Sequence, residues 1–252
     1  MPSAIDSGGI PERGSALQIA YYVECATEPL NSAVRDALGV EGPIDWVSPR
    51  AKERFAEYWD RKFIERVGHP ELAKALSDWW PSGGAHWDAL ARVGARGVLL
   101  IEAKANIPEI ENGSPSAAGN TGSKAGLGNR EKIGSSLAET MKAYGVDPAR
   151  ADVWLNSHCY QYANRLAHLR FLHHHQVPAW LAHIYFTGDE TYLATTREQF
   201  DAQRAKDATH MGVDGVDIPG AGVVFLKAEP EAKARLERLP AMARRAGQRS
   251  LR

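Results

Sequence analysis

The run GVLLIEAKA over residues 97–105 spends two alternate positions on a carboxylate and an amine, Glu102 and Lys104. Side chains of a strand alternate between faces, so these two project together while Ala103 points the other way. The apolar residues Val98, Leu99, Leu100 and Ile101 precede them, which predicts a buried strand, where an unpaired charge is costly. Asp88 supplies a reason for the placement. The turn-like Gly94-Ala95-Arg96-Gly97 folds 86–93 back on 98–105, and the partner numbers then sum to about 190 or 191. On that register Asp88 arrives beside Glu102.

Two carboxylates on one strand pair repel each other unless a divalent cation lies between them, and hard oxygen ligands of this kind suit Mg²⁺ or Mn²⁺. Lys104 then has a role, since its ammonium, held next to a metal-bound water, orients or stabilises the hydroxide that attacks phosphorus. The plain reading of Glu-x-Lys is an ion pair at a strand end. Asp88 is what argues against it.

Around these residues the sequence predicts further elements. Residues 17–23 read as a strand or extended segment and 31–38 as a helix. A longer amphipathic helix is expected over 51–67, where Phe55, Trp59, Phe63 and Val67 recur every four residues and Glu53, Glu57 and Asp60 align on the other side. The stretch 111–130, dense in Gly, Ser, Asn and Pro, reads as a flexible loop able to close over the site. Helices are expected over 131–144 and 158–173, strands over 178–187 and 222–227, and a charged helix over 229–239.

Trp87-Asp88-Ala89, a short hairpin and then Ile101-Glu102-Ala103-Lys104 together resemble the PD-(D/E)XK nuclease superfamily. The order helix, antiparallel strands, helix, strand is similar too, over about half of the chain. Trp87 stands where the name-giving proline would be. The resemblance implies an α/β restriction-endonuclease-like core with a central mixed β-sheet flanked by helices. It would form a single domain over 1–252, with an N-terminal extension and a basic C-terminal tail. It implies Mg²⁺- or Mn²⁺-dependent cleavage of nucleic acid, DNA first, with Asp88 and Glu102 as metal ligands and Lys104 at the attacking water. An acid of the first core helix often joins the metal in this family, and Glu57 is the first choice. A RecB-like branch carries a glutamine on the helix after the Glu-x-Lys strand, and Gln161 is similar in position. Arg165 and His168 share the helical face of Gln161 and are assigned to substrate contact. A homodimer is the assembly such nucleases use when two strands are cut.

Bulk properties constrain this reading. The 252 residues, 44% hydrophobic and 24% charged, suffice for one large core. A formal net charge of −1 gives no overall electrostatic pull on a polyanion; only 231–252 is locally basic. Two cysteines without CxxC spacing argue against a disulfide framework or a structural zinc site, and suggest packed thiols in a reducing cytoplasm. No apolar run is long enough to span a bilayer, so no membrane partner is expected. Consecutive His173, His174 and His175 diverge around a helix and cannot all face one ion. Two rival functions stay open: a non-catalytic nucleic-acid-binding or structural module on the same fold, and a metal-dependent hydrolase of a smaller phosphoester.

Overall fold

The computed structural model describes residues 9–111 and 124–239. It is an α/β structure around one five-stranded mixed sheet in the order β1 (Ile44–Ser48), β2 (Ala89–Val93), β3 (Gly97–Lys104), β4 (Ala179–Thr187), β5 (Ala221–Lys227). β1–β2 and β2–β3 pair antiparallel, whereas β3–β4 and β4–β5 are parallel. Parallel neighbours need a long crossover, usually helical. Here α6 (Lys124–Tyr144), α7 (Ala151–Asn156) and α8 (Tyr160–His174) lie between β3 and β4, and α9 (Arg197–Met211) lies between β4 and β5.

Central β3 is buried on both faces, which explains its unbroken apolar run. Val98 and Leu100 join a core with Leu166 and Leu169 of α8 and with Phe63 of α3 (Asp60–Arg66). Leu99, Ile101 and Ala103 join a second core with Leu17 of α1 (Gly14–Cys25), Leu30 of α2 (Thr27–Leu38) and Leu236 of α10 (Ala232–Glu237). Two apolar layers thus clasp the sheet. The β2–β3 turn is set by Gly97, where an added Cβ would lie 2.7 Å from the Val93 carbonyl oxygen and 3.0 Å from the Trp180 ring. Ala89 pairs with Ile101 and Leu90 with Leu100, the register expected from sequence.

Three local expectations change. Residues 17–23 are helical, within α1, because a short apolar run buried on nearly every side carries no period that separates strand from helix. The helix expected over 51–67 is broken: a 3₁₀ turn, Ala51–Glu53, is followed by Arg54 and Phe55 at φ 55° and 56°, and α3 starts only at Asp60. The four-residue spacing misleads here because Phe55 packs into one core while Phe63 and Val67 pack into the other. Between them the backbone is extended, and Tyr58 forms a β-bridge with Trp87. Finally, α6 begins at Lys124, so the last seven residues of the loop expected over 111–130 are helical. The short α5 (Ile107–Glu111) ends on its first residue, and 112–123 lie outside the described residues, as does most of the basic tail, 240–252.

Beyond the long elements, β1, α9 and the seven-residue α4 (Ala73–Trp79) have no counterpart in the elements expected from sequence. No described helix is long and apolar enough to cross a membrane.

Candidate active site

The alternation of β3 carries Glu102 and Lys104 onto the face covered by α8. Glu102 is 2% exposed, and its two oxygens are divided between two cations. Oε1 lies 2.6 Å from Lys104 Nζ and Oε2 lies 2.6 Å from Arg165 Nε. Lys104 also donates to Gln161 Oε1 at 2.9 Å. Arg165, one helical turn beyond Gln161, donates to the His86 carbonyl at 2.6 Å and lies over the Trp87 ring, 4.9 Å from its centroid. Gln161 and Arg165 therefore tie α8 to the sheet through the two charges of β3.

Asp88 sits just before β2, and its Oδ2 accepts a hydrogen bond from the Ala103 amide at 2.7 Å. This contact fixes it at the level of Glu102, as the hairpin arithmetic required. Glu57 approaches from the extended segment that the break in the expected helix creates. Its neighbours Glu53 and Asp60 have other partners. Glu53 accepts from Tyr58 Oη at 2.8 Å and pairs with Arg66, while Asp60 accepts from the amides of Gly83 and Gly84 at 2.8 and 2.9 Å.

Electrostatics sorts these carboxyls by role. Burial and the charges of Glu102 and Glu57 push Asp88 well above the usual aspartate range. Burial and the Glu102 charge also raise Glu57. Burial would raise Glu102 too, but Arg165 and Lys104 overcome it and hold its pKa at about 2. For Lys104, burial disfavours the ammonium, yet Glu102 and Asp88 win and raise its pKa. Lys104 is therefore a cation at neutral pH and no general base. Three carboxylates face two cations, and the excess repulsion falls on Asp88 and Glu57. The three offer only oxygen donors, the type a hard divalent cation takes, but they are not among the described residues whose ligand atoms converge within 4.8 Å of one another.

The two residues assigned to substrate contact are both turned into the interior. Arg165 is 3% exposed and committed to Glu102, so it positions a carboxylate. His168 is 2% exposed, with its ring among Trp79, Trp80, Trp87 and Phe63 and its Nδ1 2.8 Å from the Asn164 carbonyl. The polar stripe of α8 faces inward because the sheet face it covers is itself charged.

Sequence reasoning did not reach the other side of the site. Glu102 and Lys104 line a cavity of about 420 Å³ that extends past His183, Tyr162 and Arg204 to His158, Cys159 and Asp207. His183 is paired with Glu102 across β3–β4, and burial lowers its pKa to about 3. Its Nε2 is buried without a hydrogen-bond partner among the described residues. The signal was present in part, as a histidine in a strand next to the Glu-x-Lys strand. The parallel register that aligns the two strands depends on a crossover of more than 70 residues, from Lys104 to Ala179.

Comparison with protein-family models, with curated proteins and with solved structures finds no match for this chain.

Proposed function

We propose that this chain is a metal-dependent phosphodiesterase of the PD-(D/E)XK type, acting on DNA. The observation that carries the reading is that Glu57, Asp88 and Glu102 lie near enough to one another and to Lys104 to interact, with Asp88 and Glu57 raised by burial and by their neighbours' charge. Carboxyls perturbed by burial and by specific charge partners beside a cavity are the kind of group that active sites arrange.

In this reading Asp88, Glu102 and Glu57 hold Mg²⁺ or Mn²⁺, which would supply Lewis-acid stabilisation of the phosphoryl oxygens and a more acidic bound water. Lys104 stays protonated and stabilises negative charge as the nucleophile forms and the phosphorane develops. Gln161 fixes the direction of the Lys104 ammonium through its 2.9 Å contact. Arg165 holds Glu102 ionised.

A second reading rests on a specific observation. Both oxygens of Glu102 already face a cation, the arrangement of a structural ion-pair network on a non-catalytic module. Calorimetric titration with Mn²⁺, followed by incubation with plasmid and single-stranded DNA, separates the two. The nuclease reading expects binding that the Asp88→Asn/Glu102→Gln double variant abolishes, together with cleavage that Lys104→Ala abolishes while the fold persists. Binding without cleavage of DNA moves the assignment to a smaller phosphoester. No binding leaves the ion-pair network.

A further inference from the structure

At the far end of the cavity, His158, Cys159 and Asp207 bring one ligand atom each within 4.8 Å of one another. His158 Nε2 is 2.8 Å from Asp207 Oδ1 and 3.4 Å from Cys159 Sγ. A thiol, an imidazole and a carboxylate in contact suggest first a nucleophilic relay. The geometry excludes one, because a relay engages the two ring nitrogens separately, one toward the nucleophile and the other toward the acid. Here a single nitrogen meets both partners. The thiol is also unsuited to attack: burial and the Asp207 charge raise its pKa to about 11.

Three donor atoms that converge on one point are instead the arrangement of a metal-ligand set. We propose that His158 Nε2, Cys159 Sγ and Asp207 form a second cation site, selective for a borderline-soft divalent ion such as Zn²⁺, with its fourth position opening into the cavity. Zinc bonds of about 2.0–2.3 Å at tetrahedral angles put ligand atoms roughly 3.3–3.7 Å apart. The Sγ to Nε2 separation of 3.4 Å already matches that spacing, and the His158–Asp207 contact has to open by under about 1 Å to reach it. Cys159 gives its proton to solvent on binding, so thiolate and carboxylate together neutralise the ion.

Three features of the surroundings support a cation here. Gln203 Nε2 donates to Asp207 Oδ1 at 3.0 Å, an outer contact that orients a carboxylate ligand. The cavity carries Glu102, Asp207, Asp214 and Asp217 against Lys104 and Arg204, four acids to two bases. The buried, unpartnered Nε2 of His183 lines the same cavity, a polar group for a molecule bound at the open position. The donor set differs in kind from the all-oxygen cluster of Glu57, Asp88 and Glu102. The inference therefore stands whether or not that cluster supports hydrolysis.

The test is titration of the full-length, metal-stripped protein with Co²⁺, read by absorption. A thiolate ligand gives an intense sulfur-to-cobalt charge-transfer band in the near ultraviolet, which oxygen ligands do not. We expect this band at one Co²⁺ per chain, displaced by Zn²⁺ and not by Mg²⁺, absent in Cys159→Ser and retained in Glu102→Gln. Asp207→Asn keeps the thiol and is expected to weaken Co²⁺ at least tenfold, which serves where Cys159→Ser does not fold. Absence of the charge-transfer band in folded wild type, or unchanged Co²⁺ affinity in Asp207→Asn, overturns the proposal.

Discussion

The side-chain oxygen of Gln161 accepts a hydrogen bond from the Lys104 ammonium at 2.9 Å, joining α8 to the end of β3 across 57 residues of sequence. Lys104 is held from two sides, by the Glu102 carboxylate at 2.6 Å and by the Gln161 side-chain oxygen. Gln161→Ala removes the second anchor and leaves the ammonium charged. Under the proposed function, kcat for DNA cleavage is expected to fall about tenfold with KM nearly unchanged, the signature of a contact used in the transition state. A rise in KM at constant kcat would show that Gln161 contributes only to binding.

Arg165 and Glu102 form a buried pair at 2.6 Å, with 4% and 3% of their side chains exposed. Arg165→Met withdraws one of the two cations that hold Glu102 ionised, and breaking a pair of this kind costs about 3–5 kcal/mol. Urea unfolding is expected to register a loss of that size, part of which Glu102→Gln restores when added to it. A loss below about 1 kcal/mol, the range of exposed pairs, would mean that water reaches Glu102.

The sequence carried the hairpin and lost the approach of distant segments, for separable reasons. Glu102 and Lys104 lie on β3 and Asp88 sits just before β2, strands joined by three residues, so side-chain alternation and one turn were enough to align them. Gln161 was named from the family resemblance, by its position on the helix after the Glu-x-Lys strand. Glu57 was chosen for the wrong reason: it reaches the site from an extended segment bridged to Trp87, and the apolar spacing of 51–67 concealed the break because the two halves feed opposite cores. Arg165 and His168 were assigned to substrate contact from the helical face they share with Gln161, whereas here one neutralises a buried carboxylate and the other is enclosed by aromatic rings. Asp207 was out of reach, since nothing local in α9 shows that it folds back on His158.

Asp88 makes stability depend on pH in a direction opposite to that of most paired carboxylates. Its folded-state pKa lies well above the ordinary 3.8, so over the interval between the two values the folded chain holds more protons than the unfolded one. Stability then falls as pH rises. The contribution is complete below 3.8 and is lost as pH climbs through the folded value. Glu102 acts in a separate window, contributing above 4.5 and losing its contribution as pH falls through about 2. Asp88→Asn deletes the first term, so the variant is expected to gain on wild type steadily as pH rises from 3.8 toward the folded value. Added Mg²⁺ should narrow the gap by stabilising wild type alone. Thermal unfolding across that range checks both points, and a gap independent of pH would show that the Asp88 carboxyl is not strained by its neighbours.

His168 sets the behaviour on the acid side. Burial among Trp79, Trp80, Trp87 and Phe63 disfavours the imidazolium and lowers its pKa from 6.5 to about 4. The unfolded chain takes up a proton near 6.5 that the folded chain refuses until about 4. The stability is therefore fully present above the first value and is lost as pH falls toward the second. One proton over that interval is worth up to about 3 kcal/mol. His168→Phe keeps an aromatic ring in an aromatic site and removes the titration. Its stability at neutral pH is expected to be lower, because the contact to the Asn164 carbonyl is lost and the extra volume must be packed. Between those two pH values the variant should lose less stability than wild type by roughly 2–3 kcal/mol; His183, lowered by burial to about 3, contributes equally in both proteins and cancels. Parallel curves for the two proteins would mean that the ring is protonated in the fold, with the aromatic faces stabilising a cation instead of excluding one.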